Sequence, residues 1–103
     1  MDKIAALTEI LKADPTNAFA RYGLAMEHST QGNTDLALTE FTALIHHQPD
    51  YVPAYQMSAQ TLAKLGRNGE AIIRLKEGLA AAQRTSNAHA ASEMQALLSD
   101  LQV

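Results

Sequence analysis

Apolar positions recur at helical spacing from the start of the chain. Ile4, Leu7, Ile10 and Leu11 share one face of a predicted helix over residues 2–13, with Asp2 near its start and Lys12 near its end, where each suits the helix dipole. Asp14-Pro15-Thr16-Asn17 then breaks the pattern: Pro15 cannot continue the preceding turn, and Thr16 or Asn17 can cap the next helix. That second helix is predicted from Asn17 to Gln31, with Ala18, Tyr22, Leu24 and Ala25 as its apolar stripe. Gly23 and Ala25 are too small there to hold a neighbouring helix at a distance. Gly32 tolerates positive φ and ends that helix, and Asn33 or Thr34 is the expected cap of a third over 34–47, which turns Ala37, Leu38, Phe41, Leu44 and Ile45 inward. A connection this short between two helices makes an antiparallel hairpin.

The same punctuation then returns. Gln48-Pro49-Asp50 closes the third helix, Asp50 is the expected cap of a fourth running to Leu65, and Pro53 is tolerated in its first turn. Gly66-Arg67-Asn68-Gly69 is a second hairpin turn, with Asn68 the expected cap of a helix over 69–84 that buries Ala71, Ile72, Leu75, Leu79 and Ala82. After Thr85-Ser86-Asn87, a sixth helix over 88–101 turns Ala91, Met94, Leu97, Leu98 and Leu101 inward.

A shift of 34 residues lays one part of this pattern over another. Ala20 falls on Ala54, Ala25 on Ala59, Gly32 on Gly66, Ala37 on Ala71 and Phe41 on Leu75. A period in this range marks stacked helical repeats, in which each unit buries its apolar face against the next and the terminal helices cover the ends.

These residues resemble the tetratricopeptide repeat family. The stretch from Ala18 to Ala25, followed by Gly32, Ala37, Phe41, Leu44 and Pro49, is similar to one complete repeat (18–49); Ala54, Tyr55, Ala59, Gly66, Ala71 and Leu75 carry a second (52–83). Residues 2–15 match the second half of a repeat through Leu7 and Pro15, and 86–101 resembles a closing helix, so that 1–103 forms a single domain. There are departures. Ser58 stands where a leucine is expected and found at Leu24, Gly78 stands where a small residue with more bulk is usual, and no proline closes the second repeat, whose second helix is longer.

The resemblance implies an all-α, right-handed superhelical stack of antiparallel pairs, about six helices, with a concave groove lined by the first helix of each pair. It implies a groove of Phe19, Tyr22, Met26, Gln56, Met57, Gln60, Lys64 and Met94, joined by Gly23 and Thr30 and, on the closing helix, by Asn87, Ala90 and Ala91. Family members that grip a C-terminal carboxylate use lysine, arginine and asparagine in this groove. Here Tyr22, Met26, Met57, Ala90 and Ala91 occupy the corresponding places, which implies a largely uncharged groove for an apolar peptide or amphipathic helix of another protein. The implied function is that of an adaptor or assembly scaffold. The alternative is a self-associating homodimer built through Leu97, Leu98 and Leu101 on the last helix.

Composition narrows the field further. Nearly half of the 103 residues are apolar, only five are aromatic and none is cysteine, which favours close-packed helices and excludes disulfides and thiolate metal sites. Net charge is -3: residues 1–50 carry three basic and seven acidic side chains, residues 51–103 five and four, so the basic surface that nucleic acid requires is missing. No membrane span or leader is evident, and a cytoplasmic protein is expected. His46 and His47 point about 100° apart on one helix and cannot chelate one ion together, while His28 and His89 stand alone, though His89 shares a face with Glu93. With no glycine-rich phosphate loop, nucleophile elbow or H-E-x-x-H, neither catalysis, cofactor nor metal is expected.

Overall fold

A computed structural model describes residues 2–103. Six helices follow one another among them: α1 (Lys3–Ala13), α2 (Ala18–Thr30), α3 (Thr34–His47), α4 (Val52–Lys64), α5 (Asn68–Arg84) and α6 (Ala88–Leu101). Each packs on the next, and α4 also touches α6. The stack is elongated, 43 × 29 × 19 Å. Among the described residues no helix is long and apolar enough to cross a membrane.

The turns explain why consecutive helices double back. Gly32 at φ +81° and Gly66 at φ +75° supply the left-handed residue that closes a helix C-terminus. The next N–H then reaches back across the last turn, Asn33 to the His28 carbonyl at 2.8 Å and Arg67 to the Leu62 carbonyl at 3.0 Å. After α5 the same bond forms from Asn87 to the Ala82 carbonyl at 2.8 Å, with Ser86 in the left-handed position at φ 56°.

Capping follows the expectation at some helix starts and departs from it at others. Asp2 accepts from the Ala5 N–H at 2.7 Å, Asn17 from Ala20 at 2.9 Å and Asn87 from Ala90 at 3.1 Å. Neither Asn33 nor Thr34 caps α3, for Asn33 holds the cap position without a side-chain bond. Asp50 does not cap α4, which starts after Tyr51; its carboxylate takes Arg84 Nε at 2.8 Å, tying the end of α5 to the α3–α4 turn. Asn68 is already the first residue of α5 and caps nothing.

Two hydrophobic clusters fill the stack. Ala25, Ala37, Phe41, Leu44 and Ala54 make the first; Val52, Tyr55, Ala59, Leu75, Ala81, Ala82, Ala90, Met94 and Leu98 make the second, and Ile45 packs on both. The small and apolar residues paired by the 34-residue shift are all buried: Ala20 with Ala54, Ala25 with Ala59, Ala37 with Ala71 and Phe41 with Leu75. Turn and helix are also tied at equivalent places by different chemistry. Arg21 donates to the Pro15 carbonyl at 3.1 Å, and 34 residues on, Tyr55 donates to the Pro49 carbonyl at 2.6 Å.

The period does not persist to the end. α2 and α4 begin at residues 18 and 52, and α3 and α5 at 34 and 68, both 34 apart; α4 and α6 begin at 52 and 88, which are 36 apart. The extra length lies in α5, which has 17 residues against 14 in α3. The buried positions Ala54, Ser58 and Leu62 of α4 are therefore answered in α6 by Ala90, Met94 and Leu98.

Candidate partner-binding surface

The first helices of the pairs, α2 and α4, together with α6, carry the expected site residues. Phe19 stands in the first turn of α2 and is 80% exposed, unusual for a phenylalanine with a packed core one residue away. One turn on, Tyr22 is half-buried and packs tilted against two rings, Phe41 at 6.0 Å and Tyr51 at 5.6 Å between centroids. Burial, and to a lesser degree the neighbouring Tyr51, raise the Tyr22 phenol above its ordinary value, so it is a neutral hydroxyl at neutral pH.

Met26 and Met57 are half-buried, and both pack on the first hydrophobic cluster, Met26 from α2 and Met57 from α4. Gln56 and Gln60 are half-buried on α4 and Lys64 is exposed near its end. Gln56 Nε2 donates to Glu93 Oε2 at 3.2 Å, joining α4 to α6, and the other Glu93 oxygen lies 2.6 Å from His89 Nε2.

Met94 is a correction. It is fully buried in the second cluster, because the two additional residues before α6 rotate that helix and set Met94 where Leu24 and Ser58 stand in the earlier first helices. Ala90 is buried by the same rotation and Ala91 half-buried against the same cluster. The α6 contribution to the surface is Glu93 with His89, so this end is charged rather than uncharged. Glu93 had one signal in the sequence, its place one helical turn after His89, but assigning it required the length of α5.

The apolar face of α6 is also largely used inside. Leu98 is buried in the second cluster, and Leu97 and Leu101 pack half-buried against it. Little of the apolar surface on which pairing through Leu97, Leu98 and Leu101 depends is left exposed. Among the described residues, no group of three or more histidine, aspartate or glutamate side chains is placed to hold a metal ion.

The arrangement resembles known proteins at two levels. A profile described as tetratricopeptide repeat matches residues 28–100. A tetratricopeptide repeat domain protein of Salinibacter ruber, solved by NMR, is 32% identical with a TM-score of 0.81, over 85% of this chain and 89% of that one. The TPR2B domain of yeast Sti1, solved as a complex with pHsp70, superposes at a TM-score of 0.88 with 20% identity, over 96% of this chain and 79% of that one. The type III secretion translocator chaperone SycD of Yersinia enterocolitica gives 0.87 at 14% identity, over 96% and 69%. No curated protein matches by sequence.

Proposed function

The chain belongs to the tetratricopeptide repeat family, and from that premise we propose that it is a protein-interaction module whose α2–α4–α6 surface takes a peptide or helix of a partner. The reading is of a binding protein rather than an enzyme. The observation that carries it is Phe19, an aromatic ring left 80% exposed beside the half-buried Tyr22 and Met26. Covering such a ring contributes about 1.5–3 kcal/mol, a large share of the affinity of a short peptide. Gln56 and Gln60 set the register of the bound segment by hydrogen bonds, and Glu93 at the far end opposes a carboxylate there. The preferred segment is therefore apolar toward α2 and carries a donor, such as lysine or an amide, toward α6. The Sti1 domain and SycD support the mode of action, the first solved with an Hsp70-derived partner and the second a chaperone of translocators.

Selection of displayed random peptides on the wild-type chain, followed by rebinding to Phe19→Asp, tests this. Enriched sequences should be apolar at one end and lose at least tenfold in affinity on Phe19→Asp, which leaves an exposed position and the melting temperature essentially unchanged. Peptides that bind both proteins equally would place the site elsewhere.

A further inference from the structure

Ser58 and Leu62 are displaced by two residues from Gln56 and Gln60, about 200° around α4, and so lie on the other side of that helix. There, between α3 and α5, a pocket of about 360 Å³ opens with Ser58 and Leu62 in its floor. Its depth has a sequence cause. Ser58 occupies the place of Leu24 in the next repeat, and a hydroxymethyl group fills far less of the space between α3 and α5 than an isobutyl group would. Its hydroxyl is also unused: Ser58 is 0% exposed and its Oγ has no hydrogen-bond partner, whereas Thr61 on the same helix bonds the Met57 carbonyl at 2.8 Å.

The pocket wall is apolar and its rim is charged. Leu38 of α3 and Ile73 of α5, the latter 62% exposed, form the sides with Leu62 below. Along the rim Arg67, just before α5, and Glu70, Arg74 and Glu77 within it follow a 3-4-3 spacing that sets them in one stripe. These charges are not equally satisfied. Arg67 and Glu70 hold one another through two short bonds, at 2.5 and 2.8 Å. Arg74 has only Glu77 and Thr42, both at 3.4 Å, the long limit of a hydrogen bond, although its side chain is just 20% exposed. Glu77, at 53%, keeps its water. The unmet demand in this pocket is for an acceptor: a guanidinium partly shielded from solvent and loosely held, above a hydroxyl without a partner. A second depression shares Leu38, Thr42 and Arg67, so the furrow continues along α3 and an extended segment can follow it.

We propose that this furrow is a second interaction site, on the side of α4 away from Phe19 and Gln56, for a protein segment presenting an aliphatic side chain next to a glutamate or aspartate. The aliphatic side chain fills the space between Leu38, Leu62 and Ile73. The neighbouring carboxylate takes Arg74 with the bidentate geometry that guanidinium favours, replacing two long contacts by two short ones. A lysine at the same place would meet Arg74, and of the two rim carboxylates Glu70 is bound to Arg67 while Glu77 is hydrated and already beside Arg74.

The probe is the capped dipeptide acetyl-Leu-Glu-amide, titrated to millimolar concentration into the full chain and followed in amide proton–nitrogen NMR spectra. Saturable shifts are expected at Leu38, Leu62 and Arg74. Acetyl-Leu-Gln-amide should bind about tenfold more weakly, the loss of one charge-assisted pair, and Arg74→Gln should show the same loss for the glutamate peptide. Ser58→Leu, which raises the floor with the residue this fold carries at Leu24, should abolish the response. Arg74→Gln alters a rim residue that leaves the core intact, so it decides the matter even if Ser58→Leu fails to fold. Three results would each overturn the proposal: no saturable shift, equal binding of both dipeptides, or shifts confined to Phe19, Gln56 and Gln60. The first two leave the α2–α4–α6 surface untouched, because it lies on the other side of α4.

Discussion

The two repeats solve one packing problem with different volumes. In the pair α2–α3, Leu24 and Leu44 stand at equivalent places to Ser58 and Gly78 in α4–α5, so the second pair has lost two isobutyl groups from its interior. What it has gained is Met94, which enters from α6 over Gly78. A Cβ built on Gly78 would lie 2.7 Å from both Met94 Sδ and Tyr55 Cβ. The second pair thus takes a methionine from α6 where the first has Leu24 and Leu44 of its own. This is why three residues of additional length in α5 matter: they set the register in which α6 presents methionine inward and Glu93 outward.

The largest effect expected from this contrast is at the methionines. Met94→Ala should cost about 3 kcal/mol, within the range for truncating a fully buried methionine, and Met57→Ala about 1 kcal/mol, since Met57 is only half-buried. Urea denaturation of the two variants measures the difference. Equal losses would mean that α6 does not complete the second pair in this way.

The two glycines packed inside helices, Gly23 and Gly78, give the next contrast. Alanine is favoured over glycine in a helix by about 1 kcal/mol, but overpacking costs about 1–3 kcal/mol. At Gly78 the obstacle includes Tyr55 Cβ, which can move only with the backbone of α4, so Gly78→Ala should destabilise by about 1–2 kcal/mol net. At Gly23 a Cβ would meet only the Leu7 methyl groups at 3.4 Å, so Gly23→Ala should be neutral or raise the melting temperature slightly. A stabilising Gly78→Ala would show that α4 and α6 are free to separate from α5.

Most of the fold was legible because it rests on short-range signals. Glycines at the turns, prolines after the helices and alanines at 34-residue spacing are each read within one repeat, and the structure places all six helices within two residues of where these signals put them. The caps at Asp50 and Asn68 were misread for a local reason: a polar residue near a helix start can serve another partner, as Asp50 serves Arg84. Met94 was misread for a longer-range one. Its periodicity placed it inward, while the resemblance implied a place in the groove as well, and only the length of α5 decides between them. The substitutions at Ser58 and Gly78 were visible as departures; what they do, opening a pocket on one side and admitting a methionine on the other, depends on contacts between three helices that no single stretch encodes.

The turn where the period is lost offers the smallest and most local test. Gly32 and Gly66 take the left-handed conformation at little cost, whereas Ser86 takes it at φ 56° with a Cβ, a strain of about 1 kcal/mol. Ser86→Gly relieves that strain but gives the unfolded chain more freedom, so the net gain should be about 0.5 kcal/mol. The converse change, Gly66→Ser, installs the same strain in the turn that keeps the period, and should lose about as much as Ser86→Gly gains. Both variants keep the bonds that close the turns, since these come from backbone groups of Asn87 and Arg67. Opposite shifts of the urea midpoint would establish that the α5–α6 turn has the geometry of the regular hairpins and that the change of register arises in the helix before it. Loss of stability from Ser86→Gly would instead mean that the serine side chain holds the turn, and would move the origin of the register change from α5 to that turn.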